Sequence, residues 1–210
     1  MERFDDLARE AGLAFTAAGA DREVTRANLG VATALGLPAL TVPRELGGHG
    51  ANLLEFASYQ QILARGDGAT ALVLAMHHML LGGEADAEPG GWPRESWEET
   101  CRAAVADGAL VNSAATEPGA GTPSQAGIPS TMATLAVGSE GEAARWEIRG
   151  RKTYTTGAPY LRFIRVSARV EPRGEAPFGA RFLLRLPAPG VRLEDSWRPS
   201  ALAAAANDDV

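Results

Sequence analysis

Two short stretches carry the residue types best suited to holding a flat polar ligand: Ala114-Ala115-Thr116-Glu117-Pro118-Gly119-Ala120-Gly121-Thr122-Pro123 and Lys152-Thr153-Tyr154-Thr155-Thr156-Gly157. The first leaves the apolar run Ala109-Leu110-Val111 and then concentrates glycine, proline and threonine. Its backbone must turn with little side-chain bulk in the way, so its amides can press onto a planar ligand. The second sets the ring of Tyr154 among the hydroxyls of Thr153, Thr155 and Thr156 in a β-branched, strand-forming run. Together the two stretches describe a platform for an aromatic heterocycle.

Other reactive side chains lead elsewhere. His77 and His78 are adjacent near the end of an apolar helix, so they diverge around its axis and cannot form the i, i+4 pair that grips zinc. They read as helix-end or pocket-wall residues, and His49, in a glycine loop, as structural. Ser124 lacks a G-x-S-x-G elbow and an activating partner, which excludes a hydrolase nucleophile. Gly119-Ala120-Gly121 lacks the third glycine and following helix of a dinucleotide fingerprint. Gly150-Arg151-Lys152-Thr153 lacks the earlier glycine of a phosphate loop, which leaves Lys152 as a hairpin charge.

The elements that must carry these stretches follow from periodicity. Phe4, Leu7, Ala11 and Phe15 recur at helical spacing among charged residues. A second helix begins near Asp21, whose carboxylate can cap free amides, and stops at Gly36 before Pro38. The stretch from Leu37 to Gly50 reads as extended because of its prolines and glycines. Leu53, Phe56, Ala57, Gln60 and Leu63 mark a third helix. Ala69 to Leu81 is apolar on nearly every side, as a helix buried between others would be, with Gly82-Gly83 ending it and Glu84 to Gly91 a polar loop. Pro93 opens a last helix with Trp97, Cys101 and Val105 on its buried face and Asp107-Gly108 at its close. From Ala109 onward alternation replaces helical spacing: Trp146 to Gly150, Phe163 to Val170 and Arg181 to Leu186 read as strands. Only Ala201 to Ala206 is low in complexity. The fold class is α+β, helices over 1–108 and mostly sheet over 109–210.

Composition supports a globular chain and narrows its partners. The 210 residues are 45% hydrophobic and 22% charged, enough for an ordinary core. Twenty basic and twenty-six acidic side chains give a net charge of −6 with no basic block, which excludes a nucleic-acid surface. Cys101 is the only cysteine, so no internal disulfide or thiolate cluster forms. The charged N-terminus differs from a signal peptide and the longest apolar run is too short to span a bilayer, from which a cytoplasmic setting is expected.

TEPGAGT at 116–122, followed by WEIRGRKTYTTGA at 146–158, resembles the flavin-binding middle domain of the acyl-CoA dehydrogenase family. The Val42-Pro43 and Gly47-Gly48 stretch resembles an element of the same family between its early helices. The resemblance implies FAD as cofactor, bound by Ala115, Thr116, Gly121 and Thr122 from the first motif and by Tyr154, Thr155 and Thr156 from the second. Thr116 and Thr156 fit the need for donors near the ring edge that accumulates negative charge. Thr122 and Ser124 face a substrate or its carrier arm, or else serve as turn residues. The implied reaction is α,β-dehydrogenation of an acyl-CoA or other thioester, with an electron-transfer partner and a homo-oligomeric assembly. The tail from Gly190 to Val210 resembles late barrel strands, and the family's four-helix C-terminal bundle, which carries its catalytic glutamate, has no counterpart in these residues. No base is therefore nominated. Thr122-Pro123 stands where the acyl-CoA enzymes usually read Ser-Asp, which leaves open a related flavin monooxygenase. A non-catalytic, flavin-binding or partner-holding remnant is the third reading.

Overall fold

The structure is a computed structural model that describes residues 3–85, 91–119, 127–136, 145–172, 174–199 and 201–210. Helices come first: α1 (Asp5–Ala14), α2 (Arg22–Ala34), α3 (Leu53–Leu63), α4 (Gly68–Ala85) and α5 (Arg94–Asp107). Strands follow: β1 (Val111–Ala114), β2 (Met132–Leu135), β3 (Trp146–Arg149), β4 (Phe163–Val170) and β5 (Phe178–Arg185). The α+β organisation expected from the change of period is the one observed. No described helix is long and apolar enough to cross a membrane.

Local chemistry sets most helix ends. The Asp21 side chain accepts the Glu23 amide at the start of α2, and Asn52 with Glu55 forms a reciprocal capping box on α3. Gly108 closes α5 in the left-handed conformation, φ +65°. The stretch after α2 is not extended throughout, because its prolines start two 3-10 turns, Leu37–Ala39 and Arg44–Leu46. A Cβ on Gly48 would run into the Val42 carbonyl, which explains a glycine there.

Three helix expectations need correction. α4 continues through Gly82 and Gly83 to Ala85, since Gly82 lies against Thr41 with no room to spare and Glu84 is anchored by Arg165 and by the Trp92 amide. Of the loop expected at Glu84 to Gly91, residues 86–90 lie outside the described ones. Val105 is partly exposed, and Ala104 joins Trp97 and Cys101 on the buried face of α5. His77 and His78 are fully buried mid-helix rather than at an end, with His78 packed edge-on against Phe56 and Tyr59 of α3. The imidazole of His77 bridges two elements, its Nε2 2.8 Å from the Pro38 carbonyl and its Nδ1 accepting the Val111 amide at 3.1 Å.

The strands form one mixed sheet built around β4. β1 pairs with its first half in parallel, Val111 opposite Phe163 through Ala114 opposite Val166. β2 pairs in parallel further along, Met132 opposite Arg169 and Ala133 opposite Val170, and β3 adds to β2 antiparallel. β5 covers β4 antiparallel along its length. β1 and β2 therefore share one edge of β4 in succession, and the chain between them must leave the sheet and return. One core crosses from helices to sheet, joining Ala8, Leu29, Leu63 and Leu74 to Leu110, Ile164 and Val166. Ala204 and Ala205 belong to the same core, so the buried end of the low-complexity alanine run is a packing segment.

Candidate functional site

The gap between β1 and β2 holds the first motif, and a buried carboxylate fixes its base. Glu117 accepts hydrogen bonds from the Ser130 amide and hydroxyl (2.7 and 2.6 Å), from the Thr131 amide (2.8 Å) and from Lys152 Nζ (2.7 Å). The outgoing and returning strands of the loop are thus tied to one side chain, itself tied to the second motif. Both ionic partners are buried, with side-chain exposures of 3% for Lys152 and 5% for Glu117. Burial alone would raise the Glu117 carboxyl, yet the hydrogen bonds from Lys152, Ser130 and Thr131 outweigh it and hold the group well below the usual carboxylate range. Burial also lowers Lys152, with Glu117 opposing the shift. Lys152 is therefore no exposed hairpin charge. It faces inward because Glu117 is the only described acid bonded to it.

The second motif runs antiparallel to the C-terminal residues. Lys152 and Val210 exchange backbone hydrogen bonds (2.7 and 2.9 Å), the Thr155 amide donates to the Asp208 carbonyl (3.0 Å) and Gly157 donates to Ala205 (2.8 Å). Gly157 has φ +74°, and a Cβ there would stand 2.9 Å from Val73 of α4, so the turn rests directly on the helical half. Asp208 is buried and held by both guanidinium nitrogens of Arg22, at 2.8 and 3.0 Å. That link brings α2 into the support of the motif.

The two motifs meet at the backbone: the Thr153 amide donates to the Thr116 carbonyl at 2.9 Å. Beside this contact Tyr154 is 62% exposed and has φ +58°, a conformation that costs a non-glycine residue about 1–3 kcal/mol and concentrates at functional sites. Ala115 and Thr116 are half-buried at the same edge. Thr155 and Thr156 are buried, and the Thr156 carbonyl accepts from Asn112 Nδ2 of β1 at 2.9 Å. Gly121, Thr122 and Ser124 lie outside the described residues. The structure thus brings Ala115, Thr116 and Tyr154 together at the surface and places Thr155 and Thr156 beneath them. An outward-facing ring beside a half-exposed threonine, on a base fixed by a buried ion pair, fits a planar heterocycle laid over Tyr154. A cavity of about 410 Å³, lined by Ile148, Val166 and Leu184 together with Arg151, Lys152 and Glu194, involves neither Thr116 nor Tyr154.

Sequence reading missed the roles of Glu117, Lys152 and Asp208. Opposite charges inside the two ligand motifs were the available signal for the first pair. Nothing local marked Asp208, because its partner Arg22 sits at the far end of the chain.

Residues 4–88 match the family described as acyl-CoA dehydrogenase, N-terminal domain. The chain is 33% identical over 179 residues to a putative acyl-CoA dehydrogenase, YdbM, of Bacillus subtilis, covering 83% of this chain and 43% of the relative. It is 29% identical over 159 residues to the human mitochondrial short-chain specific acyl-CoA dehydrogenase, covering 76% of this chain and 36% of that one. Among solved structures, the FMN-bound form of TdsC from Paenibacillus sp. A11-2, a dibenzothiophene monooxygenase, superimposes with a TM-score of 0.77 at 19% identity, over 99% of this chain and 50% of that one. The chain spans less than half the length of the curated relatives it matches.

Proposed function

From the premise that this chain is a relative of the acyl-CoA dehydrogenase family, we propose that it forms the flavin-holding part of an oxidoreductase acting on an acyl thioester. The observation that carries the reading is the hydrogen bond from the Thr153 amide to the Thr116 carbonyl, which sets the two motifs side by side with Tyr154 facing outward. FAD is the cofactor of first choice, because it is the one the family resemblance implies. In this reading Tyr154 offers its ring face to the heterocycle, while Ala115 and Thr116, with Gly121 and Thr122, line its polar edge. Thr122 and Ser124 are assigned to the substrate side. Bound oxidised flavin would supply a two-electron acceptor for a hydride leaving the carbon β to the thioester. The chain's own residues support the ring from below, since Thr155, Thr156 and Ala158 are all buried. An electron-transfer partner and a homo-oligomeric assembly complete the reading.

A second reading, flavin-dependent monooxygenation, is favoured by two observations. One is the structural likeness to an FMN-bound monooxygenase, and the other is Thr122-Pro123 in place of Ser-Asp. Titration of the purified chain with FAD and with FMN, followed by visible absorption and by quenching of flavin fluorescence, tests the common part of both readings. Saturable perturbation of the flavin spectrum, lost in Tyr154→Leu, is expected. Spectra that remain those of free flavin at all protein concentrations would end the proposal. A preference for FMN over FAD would move the assignment to the second reading.

A further inference from the structure

Tyr154 needs a support that its own segment does not provide. Its φ is +58°, and most of its surface faces solvent. Its described ring contact is Trp197, edge to face, with centroids 5.8 Å apart and planes at 85°. Trp197 is itself fixed, because its amide donates to Asp208 Oδ1 at 3.1 Å and the neighbouring Ser196 amide donates to the same oxygen at 3.2 Å. The Asp208 backbone carbonyl meanwhile receives the Thr155 amide, one residue beyond Tyr154. One aspartate therefore sets both rings relative to each other, its carboxylate holding the tryptophan backbone and its carbonyl holding the residue after the tyrosine. Among the described residues, the non-glycine positions with positive φ are Tyr154, Leu202 and Ala206, all on these two paired segments.

We propose that Trp197 is a positioning residue for the flavin site, holding the Tyr154 ring at the angle at which a planar heterocycle stacks on it; this rests on the flavin reading given above. Trp197 acts through Tyr154, so its effect vanishes when the tyrosine is gone. The test uses the 210-residue chain as wild type, Trp197→Phe, Trp197→Leu, Tyr154→Leu and the double Leu variant. Each is titrated with FMN and with FAD, and near-ultraviolet circular dichroism is recorded without flavin. Trp197→Leu is expected to weaken flavin binding about three- to tenfold, the scale of an edge-to-face aromatic contact. Trp197→Phe should restore most of the loss, and adding Trp197→Leu to Tyr154→Leu should cost nothing further. Without flavin, either Leu substitution should remove the same coupled aromatic band. Equal losses from Trp197→Leu in both tyrosine backgrounds, or an aromatic band in Tyr154→Leu that still responds to Trp197→Leu, would overturn the proposal. If the wild type binds neither flavin, the flavin reading fails, and with it the proposed role, whereas the band still reports whether Trp197 orders Tyr154.

Discussion

At the scale of residues, the ion pair between Glu117 and Lys152 is the most consequential feature absent from the sequence reading. Replacing Glu117 by Gln leaves a buried ammonium with a neutral partner, and removing one member of a buried pair costs about 3–5 kcal/mol. Urea unfolding of Glu117→Gln should show a loss of that order, while Glu117→Met with Lys152→Met, which removes both charges, should cost clearly less. The pH dependence follows from the same groups. Glu117 has its folded value below its unfolded one, so it contributes stability above about pH 4.5 that is lost as the pH falls further. His77 acts earlier: burial, only partly opposed by its hydrogen bond to Pro38, lowers it from 6.5 to about 4. Between those values the unfolded chain takes up a proton that the folded one refuses, so stability is complete above pH 6.5 and declines by about 3 kcal/mol towards pH 4. Burial pushes His78 down as well, which steepens the same slope. Urea midpoints measured from pH 7 to pH 4 should fall continuously, and His77→Gln, although less stable at pH 7, should show a shallower fall.

At the scale of elements, the second motif works because a glycine lets it touch a helix. Gly157→Ala introduces a methyl group against Val73 of α4 and strains a backbone at φ +74°. It should lower stability by about 1–3 kcal/mol and also weaken flavin binding, since the turn follows directly on Tyr154, Thr155 and Thr156. Thermal melting and the flavin titration check the two parts separately. The elements themselves were largely legible beforehand. Asp21 marked the start of α2, the stretch apolar on nearly every side marked α4, and the β-branched and aromatic run of Phe163 to Val170 marked β4, because each signal is written in adjacent residues. The end of α4 was not legible. Gly82-Gly83 looks like a stop, yet tertiary contacts of Glu84 with Arg165 and the Trp92 amide carry the helix past it.

At the scale of the whole molecule, the C-terminal residues behave as a keystone. Ala204, Ala205 and Ala206 are fully buried, Tyr160 donates its hydroxyl to the Ala204 carbonyl, and Asp208 is paired with Arg22. A chain ending at residue 199 should lose cooperative unfolding and expose apolar surface, detectable as dye binding and a lost near-ultraviolet signal; a sharp, unshifted melting transition would refute this. The sequence by itself determined the five helices, the strands β3, β4 and β5, the position of both motifs and the family they resemble, because these depend on periodicity and on residue types within short windows. Only the tertiary structure decided that Lys152 turns inward to Glu117, that the two histidines are core, and that Arg22, Asp208 and Trp197 stand behind Tyr154. Those facts depend on which distant segments pack together, and a charge or a ring has no fixed meaning until burial and a partner assign one.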